Sequence, residues 1–505
     1  MTTAAQHWSE LDNDRRALLT RWEKYAGFTI PRICLPDNFN ERSTEMKHDW
    51  QSVGAQATNH VVNKLMLTLF APSRPFMRLE VPPKARAEIA PDMHPLLDEV
   101  LSDAERQSIR IMDSRQDIRP RMHLALTNLV VTGNTCVKFP EKAGEQFRTF
   151  YARSWAVQRT FAGDIKRLVL REAYQLGELD PKVQDAYKSV RHVKDDVKVI
   201  LYTVILRNNR GGYELTQAVD DVVLPEAFNG SYKDYEALPY KVITWSLSDG
   251  ADYGTGLLED YAGDFAALSA MSEAQVTGAI LACEFRWLVN PAGFTKPDDL
   301  ANSANGSAIP GVKDDIVPLT TEQGQSLSIV QSIASDYVQR IGRGFLLSTA
   351  VTRDAERVTA EEIRMQATEL ETSFGGAYSR IAVEMQRPMA LWLLDQIDVK
   401  VDGKALSVSI ITGLDALSRS GDLDALRGAL ADISNFNVLP PELRQELNVQ
   451  AIYTTIFTGH GLVAGKFLRA PEEVQAERQA QQQQETQTQV NAEAAKVGAQ
   501  SAVKE

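Results

Sequence analysis

The chain has 505 residues, more than one compact core accommodates, so two or more domains are expected. Hydrophobic residues make up 44% of the chain and charged residues 24%, as in ordinary globular proteins. The net charge of −13 excludes the overall basic surface of a sequence-specific DNA-binding protein, so any contact with nucleic acid must be local or weak.

The cysteines and the hydropathy pattern limit where the protein is made. Cys34, Cys136 and Cys283 are far apart and form neither a Cys-x-x-Cys pair nor a cluster with histidine, so no zinc site or disulfide framework is expected. The N-terminal sequence MTTAAQHWSELDNDRR is polar and acidic, unlike a signal peptide, and no run approaches the roughly eighteen apolar residues of a membrane helix. We therefore expect a soluble protein that is synthesised in a cytoplasm and has no membrane partner.

Apolar residues recur at helical spacing in the first 133 residues. The first predicted amphipathic helix ends before the prolines at 31 and 36, and its apolar face contains Trp8, Leu11, Leu18, Leu19, Trp22 and Tyr25. A second helix is predicted over 51–70, because four apolar residues follow one another in steps of four: Ala57, Val61, Leu65 and Leu69. Further helices are predicted near 96–116 and 120–132, with Gly133 as the cap of the latter.

Between 135 and 246 the pattern changes to that of strands. The β-branched run DVKVILYTVILRN and the segment YELTQAVDDVVL flank Gly211–Gly212, which predicts two strands joined by a turn. Three further strands are predicted in the segments FRTFYARSWAVQRT, DIKRLVLREAY and YKVITWSL. A strand-rich block between helical segments predicts an α+β fold.

Two long helices are predicted on either side of a proline-rich stretch. Residues 256–284 and 326–345 have apolar residues at helical spacing, whereas 285–325 contain four prolines and the turn sequence Asn305–Gly306. Two short strands, FRWLVN and DIVPL, are predicted within that stretch. The two helices therefore bracket a small excursion of strands and turns.

A further long helix is predicted from 359 to 397. Thr359 and Glu362 have the spacing of a capping box at its start, and Gly375–Gly376 in its middle predicts a kink or close packing. After this helix we predict a strand pair within 398–411 and helices at 413–431, at 440–458 and from 470 onward. The Gln-rich tail from about 475 has few large apolar residues, so at least its last part is expected to be mobile.

The motifs of enzymes and of metal sites are missing from the sequence. GLVAGKF at 461–467 has the wrong glycine spacing for a phosphate-binding loop, and the HExxH, GxSxG and EF-hand patterns do not occur. None of the seven histidines has metal-ligand spacing, and we interpret the paired acids Asp298–Asp299 and Asp314–Asp315 as solvated turn residues rather than a metal site. The sequence therefore predicts no catalytic residue, no cofactor and no metal.

One short segment concentrates charge of both signs. TRDAERVTAEEIR, residues 352–364, contains four acids and three arginines. Two interpretations are open, a helix start with solvated charges and a loop that touches a polyanion without holding it. Together with the end of the preceding helix, this segment forms a local basic feature in an acidic chain, made by Arg340, Arg343, Arg353 and Arg357.

Two segments resemble those of a known family. QSVGAQATNHVVNKLMLTLFAPSRPFMRLEV (51–81) and STAVTRDAERVTAEEIR (348–364) resemble the head-to-tail connector, or portal, proteins of short-tailed bacteriophages, the podoviruses of the autographivirus type. The order of predicted elements agrees with that family to about residue 470. The competing interpretation is another structural ring or core protein of the virion, such as a tail adaptor or an internal scaffold-like protein. An adaptor would be smaller and would lack the order of helix, strand excursion and helix.

The resemblance implies a protomer with distinct parts and a helical crown. In chain order these would be a wing (1–255), a stem helix (256–284), a clip (285–325), a second stem helix (326–346), a tunnel loop (347–358), a long wing helix (359–397), the crown (398–470) and a partly disordered tail (471–505).

The resemblance also implies a function and a set of partners. Twelve copies would form a homo-oligomeric ring at one vertex of the capsid in the virion, through which double-stranded DNA is packaged and later ejected. The ring would dock the large terminase subunit and then tail adaptor and tail tube proteins, and it would contact the major capsid, scaffolding and internal core proteins. Weak phosphate contacts from the tunnel loop and the stem end would come from Arg340, Arg343, Arg353 and Arg357.

Overall fold

The computed structural model describes residues 3–37, 39–40, 42–72, 75–90, 93–142, 144–283, 287–318, 324–347, 360–401, 406–410, 428–434 and 449–459. The chain divides into two compact units, Met1–Gly413 and Leu414–Glu505. The first unit combines helices with antiparallel sheets, so the predicted α+β fold is confirmed.

The chain opens with two helices rather than the single predicted one. Helix α1, Ala4–Asp14, and helix α2, Arg16–Phe28, are separated at Arg15, whose φ of −95° and ψ of 5° depart from helical geometry. The Arg15 side chain is buried, and its guanidinium donates to the carbonyl oxygens of Ala152, at 3.1 Å, and Trp155. Because these acceptors lie far along the chain, helical spacing alone does not reveal the break.

Helix α3, Val53–Leu69, agrees with the prediction. The four residues of its predicted apolar face are all fully buried, namely Ala57, Val61, Leu65 and Leu69. After strand β1, Met77–Glu80, three more helices follow: α4 (Pro83–Ala87), α5 (His94–Ser114) and α6 (Ile118–Thr132).

Gly133 ends helix α6, as predicted. Its φ is 77°, in the left-handed region that favours glycine, and its N–H donates to the carbonyl oxygen of Leu129 at 2.9 Å. A Cβ at this position would lie 2.4 Å from the backbone nitrogen of Gly256, so the close approach of the 255–256 backbone also requires glycine here.

The predicted strand block forms two antiparallel sheets. Its strands are, in chain order, β2 (Asn134–Lys138), β3 (Arg148–Thr149), β4 (Trp155–Arg159), β5 (Ile165–Gln175), β6 (Lys198–Arg207), β7 (Tyr213–Val219), β8 (Val222–Val223), β9 (Gly230–Tyr232) and β10 (Tyr240–Thr244). The smaller sheet has the order β10-β2-β3, and the larger has the order β4-β5-β6-β7-β8 with β9 beside β7. Helix α7, Pro181–Val190, lies between β5 and β6 in the chain.

The segment FRTFYARSWAVQRT differs from its predicted single strand. It contributes β3 to the smaller sheet and β4 to the larger, and a 3-10 turn at Ala152–Ser154 separates the two. Helix α1 covers the larger sheet and contributes Trp8 and Leu11 to a shared apolar cluster. The N-terminal helix is therefore part of the same body as the strand block.

The next two long helices lie side by side. The predicted helix over 256–284 is divided at Tyr261 into α8, Leu257–Asp260, and α9, Ala262–Cys283. Helix α11, Gly324–Gly344, packs against α9. Between them are strand β11 (Trp287–Val289), helix α10 (Pro297–Ala301) and strand β12 (Ile316–Pro318), and the two strands pair antiparallel, so both predicted short strands are confirmed.

The predicted helix over 359–397 is divided into three segments. Helix α12, Ala360–Ile381, bends at Gly375, where φ is 28° and ψ is −98°, so the predicted kink is confirmed. A π-helical turn, Ala382–Gln386, connects it to helix α13, Arg387–Asp395. Pro388 has no N–H for regular α-helical pairing, which explains why the hydrogen-bonding pattern changes here. The predicted cap at Thr359 lies outside the described residues.

A strand lies within 398–411, but the prediction that it pairs with another strand of the same segment is wrong. Strand β13, Ser407–Ile410, pairs antiparallel with β1 across more than three hundred residues, with Met77 opposite Ile410. In the second unit the described residues are helical at 428–434 and in helix α14, Val449–Gly459, which overlap the helices predicted at 413–431 and 440–458. The helix predicted from 470 and the Gln-rich tail lie outside the described residues.

Candidate nucleic-acid interface

The paired helices α9 and α11 carry few charged residues, and two of them pair with each other. Arg340 Nη1 lies 3.2 Å from Asp264 Oδ1, and its guanidinium carbon lies 4.9 Å from the ring centroid of Tyr337. The Arg340 side chain is nevertheless 59% exposed. An exposed ion pair of this kind contributes about 0–1 kcal/mol, so a passing phosphate can compete for the arginine at little cost.

Arg343 is the second sequence-predicted arginine that the structure describes. It lies in the last turn of α11, where a positive charge is favoured by the helix dipole, and it is exposed. No carboxylate among the described residues lies within ion-pair distance of it. It lines a cavity of about 710 Å³ together with Tyr261, Phe374 and Arg380. The other two predicted arginines, Arg353 and Arg357, lie outside the described residues.

The end of α11 is held by a buried lysine of helix α3. Lys64 is only 4% exposed, and its Nζ donates to Glu369 Oε2 at 3.0 Å and to the carbonyl oxygen of Leu346 at 3.3 Å. His60 Nε2 lies 3.0 Å from the same carbonyl oxygen. Leu346 has a φ of 57°, in the left-handed region, so the chain turns sharply as it leaves α11.

This lysine was not among the sequence-predicted site residues. The available signal was a lysine inside the apolar run VVNKLMLTLF, one position before the buried Leu65. Burial and the nearby Lys64 ammonium lower the pKa of His60 below its usual value, which favours the neutral imidazole beside that ammonium. Helix α3 therefore joins the end of α11 to helix α12 through one buried charged group.

A second carboxylate holds the π-helical turn between α12 and α13 against the smaller sheet. Glu384, in the π-helical turn, accepts hydrogen bonds from the backbone N–H of Thr244 at 2.8 Å and from the Thr244 hydroxyl at 3.3 Å. Arg380 Nη1 lies 3.3 Å from its other carboxylate oxygen. Burial nevertheless outweighs these contacts and raises the pKa of Glu384 above its usual value.

The excursion between α9 and α11 is organised around Asp315. The interpretation of Asp315 as a solvated turn residue is wrong, because its side chain is buried and its Oδ2 accepts from the N–H of Phe294 at 2.9 Å and from the N–H and hydroxyl of Thr295, both at 3.2 Å. Asp298, Asp299 and Asp314 are exposed, as predicted. In the part of the chain that the structure describes, no group of three or more His, Cys, Asp or Glu side chains could hold a metal ion.

Large apolar side chains are exposed along both paired helices and the excursion between them. We call these nine residues the apolar band: Val276, Ile280, Leu288, Phe294, Val312, Val317, Ile329, Ile333 and Val338. Monomeric proteins rarely expose so many large apolar groups in one region, and such regions mark sites of association with another protein.

Comparison with known proteins decides the family. A family model described as bacteriophage head to tail connecting protein matches residues 1–465. The chain belongs to the head-to-tail connecting proteins of bacteriophages. The resemblance inferred from residues 51–81 and 348–364 is therefore confirmed.

Curated relatives of the connector are portal proteins of phages. It is 32% identical over 480 residues to the portal protein of Enterobacteria phage SP6, a match that covers 93% of this chain and 90% of the relative. It is 33% identical over 483 residues to the portal protein of Enterobacteria phage T3, covering 93% and 88% of the two chains. The fold was also compared with a chain in the solved virion of a native gene transfer agent particle. That match covers 81% of the connector and 89% of the other chain, with 12% identity and a TM-score of 0.37.

The members of this family that the comparisons name are structural proteins of the phage virion. None of the connector helices in the described ranges is long and apolar enough to cross a membrane. Within those ranges, the sequence-predicted site residues are Arg340 and Arg343, both near the end of α11. The structure therefore brings two of the four predicted arginines to one helix end.

Proposed function

We propose that this connector is the portal subunit of a short-tailed phage, twelve copies of which form a closed ring at one capsid vertex. The observation that carries this proposal is the apolar band on α9, α11 and the strands between them. The portal proteins of SP6 and T3, which are similar over most of the chain, support the same function. Double-stranded DNA would be packaged and later ejected through the centre of the ring.

The arrangement of the paired helices supports association through their flanks. Along α11, Ala334 and Ile341 are buried, whereas Ile329 and Ile333 are exposed and one helical turn apart on another side. On α9, Val276 and Ile280 are likewise exposed and one turn apart. Covering both flanks with neighbouring copies removes this apolar surface from water, and a head-to-tail contact gives a closed ring when its rotation is a whole fraction of a full turn.

The few charges on the paired helices would let DNA slide through the ring, because they would bind its phosphates only weakly. Each phosphate neutralised by a fixed cation adds salt-dependent affinity, and a ring multiplies that affinity by its number of subunits. Arg340 is already paired with Asp264, so its phosphate contacts would be weak and exchangeable. We assign Arg353 and Arg357, with Arg340 and Arg343, to these transient contacts.

We assign the parts of the protomer from the family resemblance, with the order of the elements as support. Helices α9 and α11 would be the stem, residues 285–325 the clip, 347–358 the tunnel loop, 1–255 the wing with 359–397 as its long helix, 398–470 the crown and 471–505 the tail. An excursion between the far ends of two paired helices projects from the body, so the clip would dock the terminase large subunit and later the tail adaptor and tail tube proteins. Capsid, scaffolding and internal core proteins would contact the remainder, and the chain would be synthesised in the host cytoplasm.

The proposal is tested by the size and shape of the purified protein. We expect annular particles with a central hole in negative-stain images and a mass in native mass spectrometry of twelve times the 56.0 kDa of one chain. The proposed role is structural and needs no catalytic step, so purified rings should contain no stoichiometric nucleotide or zinc. A protein that stays monomeric or dimeric at all concentrations and salt conditions contradicts the proposal.

A further inference from the structure

A short turn between β11 and α10 is unusually well supported for an exposed segment. The Asn290 N–H donates to the carbonyl oxygen of Asp315 at 2.9 Å, and the Asp315 carboxylate accepts from Phe294 and Thr295. The Thr295 hydroxyl oxygen in turn accepts from the Val312 N–H at 3.0 Å. This network joins both sides of the excursion and fixes the backbone of the turn.

The side chain that this turn presents is a phenylalanine. Phe294 is 88% exposed, although its own N–H is tied to the buried carboxylate of Asp315. Leu288 and Val317 lie directly opposite each other on one face of the two-stranded ribbon and are 55% and 54% exposed. The turn is rigid and already holds the phenyl group in water. Little conformational entropy is therefore lost when a partner buries that group.

We propose that Phe294 is an anchor through which the clip of one copy docks on the clip of the next copy in the ring. This inference rests on the proposed ring and assigns it a specific contact. Asp315 acts as a positioning residue, because it holds the backbone of Phe294 without itself being exposed. Aromatic side chains, phenylalanine among them, are enriched in protein interfaces relative to the rest of the surface.

Two observations favour a second copy over an unrelated protein as the occupant. Leu288, Val317 and Phe294 belong to the apolar band together with the exposed residues of α9 and α11, and a neighbour that covers the whole band would cover the helices and the clip together. The exposed charges beside them are of both signs, Lys296 and Lys313 against Asp298, Asp299 and Asp314. Because the clip displays both signs, its lysines can pair with acids on a different side of the neighbouring clip, as a head-to-tail contact requires.

The first experiment compares two exposed phenylalanines. Phe294→Ser should raise the protein concentration at which half of the chains are in rings at least tenfold, measured by analytical ultracentrifugation. Phe161→Ser is the matched control, because Phe161 is 78% exposed but lies in the turn between β4 and β5, and it should leave that concentration unchanged. Both side chains are largely in water, so neither change should alter the circular dichroism spectrum.

The second experiment compares Asp315 with an aspartate outside the clip. Asp315→Ala removes the acceptor that holds the turn and should weaken ring assembly as Phe294→Ser does, whereas Asp249→Ala removes an exposed carboxylate between β10 and α8 and should not. Placing a photo-crosslinking benzoylphenylalanine at 294 in otherwise unchanged rings should yield covalent pairs of this chain.

The outcomes separate this inference from the proposed function. If the parent chain forms no ring, the proposed function fails. If the parent forms rings and Phe294→Ser forms them equally well, the ring stands and the anchor is refuted. Rings of Phe294→Ser that assemble normally but no longer bind terminase or the tail adaptor would also refute the docking of copy on copy, because the occupant would then be a different protein.

Discussion

The Nζ atom of Lys64 lies 3.0 Å from the Oε2 atom of Glu369, although the two residues are about three hundred positions apart in the chain. The lysine is buried and also donates to the carbonyl oxygen of Leu346. One ammonium group therefore joins helix α3 to the end of α11 and to the first half of α12. The proposed tunnel loop begins immediately after Leu346, so this contact sets where that loop starts.

Lys64→Met should destabilise the protein by roughly 1–3 kcal/mol, because Glu369 and the Leu346 carbonyl lose a charged donor that water cannot fully replace. Denaturation with urea, followed by circular dichroism, measures the change. Lys84→Met, at an exposed position in α4, is the control and should stay within about 0.5 kcal/mol of the parent. Adding Glu369→Leu to Lys64→Met should recover part of the loss, since no carboxylate is then left unpaired. A double variant as unstable as the sum of its single variants would argue against the pair.

Gly375 and Gly376 should respond in opposite directions to alanine. Gly375 has a φ of 28° at the bend of α12, so Gly375→Ala should cost about 1–2 kcal/mol through backbone strain. Gly376 lies in helical backbone with open space where a Cβ would be placed, so Gly376→Ala should stabilise by about 0.5–1 kcal/mol. Thermal unfolding of the two variants measures both effects. Equal shifts in the same direction would mean that the bend does not depend on Gly375.

Glu384 should make the stability of the fold depend on pH. Its pKa is raised in the folded chain above the ordinary value of 4.5, so the folded state binds this proton more tightly than the unfolded state does. Protonated Glu384 therefore adds to the free energy of unfolding at low pH. This contribution is lost as the pH rises from about 4.5 through the raised pKa of the folded state. Glu384→Gln keeps an acceptor for Thr244 and should flatten this part of the curve of unfolding free energy against pH.

The matched control for that experiment is Glu226→Gln, which changes an exposed carboxylate and should leave the curve as in the parent. At pH 7 the Glu384→Gln variant avoids the cost of a buried charge but loses its attraction to Arg380. If the unfolding free energy of the parent and of Glu384→Gln changes with the same slope between pH 4.5 and 7, burial does not raise the pKa of Glu384 as assigned.

The double variant Arg353→Ala with Arg357→Ala tests the proposed contacts with DNA. We expect rings to assemble normally and DNA packaging or retention to fall, with a difference from the parent that depends on salt concentration. Arg106→Ala with Arg210→Ala, which removes two exposed arginines elsewhere, is the control and should package like the parent. Reduced ring yield before any DNA is present would instead assign the first pair to contacts within or between subunits. Normal packaging and retention would end the DNA-contact proposal.

Much of the local structure could be predicted because it depends on neighbouring residues. The step of four along Ala57, Val61 and Leu65 identifies the buried face of α3, since residues at that spacing lie on one side of a helix. Gly133 and Gly375 mark a helix end and a bend, because glycine adopts backbone angles that other residues avoid. The two short strands of the clip are recognisable for the same local reason, an apolar run between turn residues.

Only the tertiary structure could decide the contacts that join distant parts of the chain. The break at Arg15, the partner of strand β13, the burial of Asp315 and the pairing of Lys64 with Glu369 leave no periodic signal, because each depends on a partner far away in sequence. The sequence by itself determined the family, the α+β fold and the order of helix, excursion and helix. The tertiary structure decided which charged groups are buried and held by hydrogen bonds and which are exposed to a partner, since burial is a property of packing between segments rather than of any one of them.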